Sequence, residues 1–486
     1  MVNWIVTAAP SDFAVPRKIN QGRAMDYTKK ISEFVTQTTY EDLPAKAIEL
    51  AKQAILDSVA VTLAGSIESA AKICAQVARE ESTSKDSSVF GQGFKTSCSQ
   101  AALVNGTAGH ALDYDYNFVY MGQPTSCLAA AAFALSEKLG RSGRDFLAAY
   151  VIGFEVTTKL VCSIPDHSSK EGWHSAGTLG ALGAAAACAK LLGLQVEAVR
   201  MTLGIAASMA SGFIWNYGTM TKPLHAGLAA RNGVLAAKLA SNGFTANPSI
   251  LEGARGFHES YSRGSPYDLA VIDSLGKSFE LVEREIGFKA YPCGGLTHSA
   301  VDAVLEMCTQ GLSPETIDDV HVGVTPHTYS KVLDKIPETA IQSKFSMGYI
   351  LARVIIDRKV TLGTFTEAAI REPSVIRLAE RVHMEVNPEL EEDAEGSRPS
   401  KVTIRLKDGR TISNQVDYAK GTAKKWPLTS EELRDKFINC ARRALTEKAA
   451  LEAAAMIEKL ETLNSVVPLC QRLAGDAPPN ALMDRA

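Results

Sequence analysis

Apolar positions recur at helical spacing through the first half of the chain. Between Pro44 and Ala64, the residues Ile48, Ala51, Ile55 and Val59 fall three or four apart, on one stripe, with charges gathered opposite. Later segments lose that polar face. Cys127–Glu137, Ala176–Leu194 and Met201–Phe213 are rich in Ala and Gly and nearly free of charge. Small side chains let helix backbones approach closely, so these segments read as central helices covered on all sides. Gly140, Gly193 and Gly243 follow helical runs and read as C-terminal stops.

The pattern changes after about Ser274. Asp319–Thr325 and Lys401–Leu406 alternate in the manner of strands, and Asp408-Gly409 makes a hairpin turn into Arg410–Val416. Helical pieces at His298–Gly311 and Ala340–Asp357 lie between them. The acidic stretch Glu389–Glu395 reads as a solvated loop. From Ser430 to Leu463 the pattern is helical again. The expected fold is mostly α: a large discontinuous all-helical domain at 25–275 and 405–486, with a smaller α/β domain at 276–404 inserted in it. Residues 1–24 form a loose N-terminal extension.

Composition narrows the function classes. The 486 residues carry 51 basic and 54 acidic side chains, for a formal net charge of -3. No global basic field exists to hold a polyanion, which argues against nucleic-acid binding. Nine cysteines are scattered without C-x-x-C spacing, so no structural zinc site or iron–sulfur cluster is expected. The odd count, with no secretory leader, fits reduced thiols and a cytoplasmic location. Organelle targeting by Met1–Arg23 is the alternative, as is a natural start at Met25. One run of 21 residues between Arg200 and Lys222 lacks charge and is long enough to span a bilayer. Its polar residues and three glycines fit a buried helix running into a polar loop better, so no membrane association is expected.

Polar residues interrupt the apolar helices in four blocks. Asn105–Asp115 (NGTAGHALDYD) carries His110, Asp113 and Asp115, and Gly172–His174 (GWH) opens a Gly/Ala helix. Gly218–Gly227 (GTMTKPLHAG) carries Lys222 and His225, and Tyr291–His298 (YPCGGLTH) opens the α/β insert. Taken singly, each has a bland explanation. Asp113 could cap a helix, His174 could be a satisfied core histidine, and Lys222 could snorkel to the surface. Burying such groups separately costs several kcal/mol, however, unless they find partners. One shared polar pocket is the economical arrangement.

The strings NGTAGHALDYD, GWHSAGTLGALGAAAA, GTMTKPLHAGLAARNG and YPCGGLTHSAVDAV resemble the signature blocks of the MmgE/PrpD family, which contains 2-methylcitrate dehydratases, cis-aconitate decarboxylases and iminodisuccinate epimerase. The resemblance runs in order from about Met25, through Lys344–Tyr349 (KFSMGY), to the strand pair near Asp408. It implies a large helical domain with a smaller lid domain, a homodimer, and catalysis without metal or organic cofactor. Carried over by position, the catalytic groups would be Asp113, His174, Lys222 and His298, with Tyr329 a looser match at the substrate; His225, in the same block as Lys222, and Gln123, in the loop after the aspartate motif, are further expected substrate contacts. Two departures fall in one loop. Many members read G-H-P where this chain has Gly122-Gln123-Pro124, and paired aspartates where it has Asp115-Tyr116. Glutamine hydrogen-bonds but does not transfer protons near neutral pH. Decarboxylation of cis-aconitate should therefore be weak in the native protein.

The resemblance implies proton transfer at a carbon next to a carboxylate. Lys222 would stabilise the enolate-like charge, His174 and His298 would move protons, and Asp113 would orient one of them. The leading expectation is a cofactor-independent lyase on a small di- or tricarboxylate, either a decarboxylase or a dehydratase. An epimerase of a small dicarboxylate and a non-catalytic carboxylate-binding homologue are the alternatives.

Overall fold

The computed structural model describes residues 26–116, 123–165, 167, 171–393 and 396–475. The N-terminal extension, the start at Met25, Met121-Gly122 and the end of the acidic stretch lie outside the described residues. Among the described residues, nine α-helices build the first part: α1 (Tyr27–Gln37), α2 (Ala45–Gly65), α3 (Ser69–Glu81), α4 (Cys98–His110), α5 (Thr125–Leu139), α6 (Gly143–Ser163), α7 (Ser175–Leu192), α8 (Val196–Met209) and α9 (Thr221–Ser241). The fold is mostly α, as the patterning indicates.

Close approach explains the Gly/Ala composition. A Cβ on Gly183 of α7 would lie 1.7 Å from Oγ1 of Thr157 on α6. A Cβ on Gly227 of α9 would lie 2.3 Å from the carbonyl of Leu103 on α4. No side chain fits at either crossing. The second crossing matters for function, because it sets the end of α4, with His110, against the start of α9, with Lys222 and His225. Among the described residues, the two single helices long and apolar enough to cross a membrane are α6 and α7, whose apolar windows are 94% and 89% buried inside the protein.

Two cores form. One gathers buried residues from Ile31 to Phe288 and again from Leu433 to Leu473. Helix Ser430–Ala441 packs back on α2, with Phe437 fully buried. The second core runs from Tyr291 to Leu406. Besides a short hairpin of β1 (Ser87–Val89) and β2 (Phe94–Thr96), the strands are β3 (Ile317–Val324), β4 (Val382–Val386), β5 (Ser400–Leu406) and β6 (Thr411–Val416). They form one mixed sheet in the order β4-β3-β5-β6, with β3 and β4 parallel. Alternation puts Val320, Val322, Val402 and Ile404 in the core, under helices His298–Thr309 and Met347–Asp357.

Several boundaries differ from the sequence expectation. The helix expected at Met201–Phe213 is α8, which ends at Met209; Gly212 (φ 140°) turns the chain so that Phe213 bridges Trp173. The run Ala340–Asp357 breaks into Ala340–Ser343 and Met347–Asp357, because Ser346 caps the second piece by accepting from Tyr349 N. The C-terminal run likewise splits at Thr446, which caps Glu447–Glu458. A domain boundary at 404/405 would cut β5, whose hairpin partner β6 extends the same sheet to Val416.

Candidate active site

After His110 the chain makes a turn that brings Asp113 into the left-handed region, with φ 52°. An L residue pays about 1–2 kcal/mol there, although Asp tolerates it better than most. Lysines hold the turn in place. Lys344 Nζ donates to the Leu112 carbonyl, Lys289 Nζ to the Asp113 carbonyl at 2.7 Å, and Lys436 Nζ to the Tyr114 carbonyl at 2.9 Å. Three consecutive carbonyls are thus satisfied by ammonium groups from separate parts of the chain. Lys436 also pairs with buried Asp57 at 2.6 Å.

The Asp113 carboxylate is fully engaged. Lys289 holds Oδ2 at 2.9 Å, while Lys222 and the Gln123 amide (3.1 Å) share Oδ1. Burial alone would raise this carboxyl, but the charges of Lys222 and Lys289 outweigh burial and hold it well below the usual range. Lys222 sits at the start of α9 with its Nζ 5.3 Å from the centroid of the Tyr217 ring and 5.9 Å from that of Phe345. Phe345 belongs to the α/β unit, so the cluster lies on the seam between the two cores. Burial pushes Lys344, on the same seam, down to about 8.

A group of imidazoles adjoins the carboxylate. His174, the N-cap of α7, shares a hydrogen bond between its Nδ1 and the Nδ1 of His225 at 3.0 Å. One ring must therefore hold its proton on Nδ1 and the other on Nε2. The His110 ring stacks on His174 with centroids 5.5 Å apart, and Tyr217 meets His174 edge-on at 5.2 Å. Burial, with the nearby His110 and Lys222 charges, lowers both His174 and His225. His298 opens the helix of the α/β unit, 3.4 Å from the Cys293 carbonyl and edge-on to Tyr291. Burial and Lys289 push it down to about 3.

Of the residues singled out from sequence, Asp113, Lys222, Gln123, His174 and His225 form one cluster, with His298 adjoining it through Lys289. Tyr329 is 43% exposed and shares no hydrogen bond or ring contact with the cluster among the described residues. Burial holds His174 and His298, the rings expected from sequence to move protons, below the ordinary imidazole value. Sequence reasoning missed Lys289 and Lys344, which stand just before the YPCGG block and at the head of KFSMGY. Their position beside those two blocks was the signal available in the sequence. It also left the His110–Asp115 pair without a role, although both lie in the first block.

An inserted α/β unit closing on a lysine- and histidine-lined seam of a helical domain defines the class, and the chain belongs to the MmgE/PrpD family. The family's N-terminal domain matches residues 29–270 and its C-terminal domain matches 291–462. Among curated relatives, cis-aconitate decarboxylase of Mus musculus is 31% identical over 452 residues, covering 88% of this chain and 89% of the relative. The Homo sapiens cis-aconitate decarboxylase is 30% identical over 90% of this chain and 92% of its own length. The Aspergillus terreus enzyme of the same name is 28% identical over 92% of this chain and 95% of its own.

Proposed function

We propose that this chain, a lyase by its family and its relatives, decarboxylates a small tricarboxylate, with cis-aconitate the first candidate, and needs neither metal nor organic cofactor. The observation that carries this reading is the Asp113 centre: one carboxylate clamped by Lys222 and Lys289, with Lys344 alongside, next to several imidazoles. These charges give a local excess of cations in a chain of net charge -3, which suits a polyanionic ligand. Lys222 and Lys289 would bind substrate carboxylates and stabilise charge that builds up as CO₂ leaves. Neutral His174 and His225 would accept hydrogen bonds or relay a proton between their Nδ1 atoms. We also propose a homodimer, on the strength of the resemblance alone, which light scattering would test.

Incubation with cis-aconitate, 2-methylcitrate and iminodisuccinate in D₂O, followed by NMR, tests the reading. Release of CO₂ from cis-aconitate supports it. Water loss from 2-methylcitrate would make the protein a dehydratase instead. Bare deuterium exchange at iminodisuccinate would make it an epimerase, and binding without turnover a carboxylate-binding homologue.

A further inference from the structure

We propose that His110, held by Asp115, is the group that protonates the substrate, and so performs the transfer that Gln123 cannot. The proposal rests on the tricarboxylate decarboxylase reading above.

The geometry is that of a carboxylate–imidazole dyad. Nδ1 of His110 lies 2.9 Å from Oδ2 of Asp115, and Ser126 on α5 donates to the same oxygen at 2.7 Å. Both side chains are almost wholly buried. A carboxylate on Nδ1 fixes the ring's orientation and turns the other nitrogen to the work, as in Ser-His-Asp enzymes. That other nitrogen, Nε2, is buried and has no hydrogen-bond partner among the described residues. A buried polar atom left unpaired costs about 1–3 kcal/mol. A scaffold ion pair would not need to leave one ring nitrogen empty.

Position supports the assignment. The α4–α9 crossing sets His110 beside the cluster, its ring stacked on His174 and three residues before Asp113. Among the four cluster imidazoles, His110 is the one with a carboxylate on its ring among the described residues. The others make their hydrogen bonds to an imidazole or a backbone carbonyl. Gln123 meets Asp113 with an amide.

The step balances as follows. The Nε2–H bond of His110 breaks and a C–H bond forms at an alkene carbon, which takes the proton with the π electron pair. The C–C bond to the departing carboxylate breaks, its electrons form the new double bond, and CO₂ leaves. Nε2 is reprotonated from solvent, so one proton is consumed per turnover.

The test uses full-length protein labelled with ¹⁵N-histidine and titrated with tricarballylate, a saturated tricarboxylate. The Nε2 resonance of His110, identified by its loss in His110→Gln, should shift on binding. If that variant does not fold, the ring signals perturbed in Asp115→Asn identify it. On cis-aconitate, His110→Gln should lower kcat by about 10²–10⁴-fold, and adding Gln123→His to it should restore at least about tenfold, a rescue that repair of a scaffold would not give. Wild-type decarboxylation with His110→Gln retaining kcat within about threefold, or a His110 signal indifferent to bound tricarballylate, overturns the proposal and leaves the lyase reading standing. A wild-type protein that neither releases CO₂ nor binds tricarballylate overturns the lyase reading, and the proposal with it.

Discussion

Gln123 donates its side-chain amide to Oδ1 of Asp113 at 3.1 Å, sharing that oxygen with the ammonium of Lys222. The position that the family resemblance marks for an imidazole is therefore part of the cluster, half-buried against Asp113. An amide there keeps the hydrogen bond to Asp113 and drops the capacity to carry a proton.

Gln123→His should raise CO₂ release from cis-aconitate by about tenfold, because it adds a second proton carrier against Asp113. Gln123→Ala should lower it, since Asp113 then loses a neutral hydrogen bond. Steady-state kinetics of the three proteins decide the matter. Equal rates in all three would show that position 123 takes no part.

Asp113→Asn should destabilise the protein more than Lys222→Met does. Without the carboxylate charge, Lys222 and Lys289 face each other across an amide, at a cost of about 3–5 kcal/mol. Without Lys222, the carboxylate keeps Lys289 at 2.9 Å, and the loss should be nearer about 1–3 kcal/mol. Urea denaturation followed by circular dichroism gives both values, and the reverse order would contradict this account of the clamp. Both variants should lose turnover, as should His174→Ala.

Mild acid should weaken the fold. Burial pushes His298 down to about 3, and His167 and His258 to about 4. Below about pH 6.5 each ring takes up a proton in the unfolded chain but not in the folded one. Their contribution is therefore full above about pH 6.5 and is lost as pH falls toward 4, at about 1.4 kcal/mol per unit for each ring. Asp113, with its carboxyl held low, adds a loss in the same direction below about pH 4. The urea midpoint should fall steeply between about pH 6.5 and 4; a flat profile would mean that these rings are solvated in solution.

Lys436→Met should cost about 3–5 kcal/mol, because it strands Asp57, which is fully buried. Burial already raises the Asp57 carboxyl despite the lysine. The variant also releases the carbonyls of Tyr114 and Lys289, each bonded at 2.9 Å, so the Asp113 turn should loosen and kcat should drop. The double variant Asp57→Asn/Lys436→Met should recover much of the stability but not the rate. Recovery of both would confine Lys436 to a structural role.

Activity should survive prolonged EDTA treatment. Both oxygens of Asp113 are held by lysine ammoniums, which compete with any cation for the carboxylate. Turnover lost to the chelator and restored by one metal would overturn this expectation.

Much of the fold was legible in the sequence. Stripes at spacing three and four, Gly/Ala runs and alternating strands depend on local geometry, which a linear pattern records. Gly140 and Gly193 end their helices in the left-handed conformation, as their position after the helical runs indicates. Element ends were less legible. Ser346 and Thr446 interrupt helical runs because each side chain bonds a backbone amide three residues on, and that competition does not disturb the hydrophobic period.

Of the cluster, the sequence by itself determined which blocks carry chemistry: unpaired polar residues set in apolar helices must converge, because burying them apart is costly. The tertiary structure alone decided how they converge. That Lys289, Lys344 and Lys436 all reach one turn, and that Lys222 joins Gln123 on one oxygen of Asp113, depends on lysines more than a hundred residues along the chain from that turn meeting it at the seam. Protonation was also out of reach of the sequence. His174 and His298 look like ordinary imidazoles in a motif, but burial and neighbouring cations make them neutral, while His110 is the ring to which the fold brings a carboxylate. Ionisation depends on surrounding charge and lost water, and both exist only once the chain has folded.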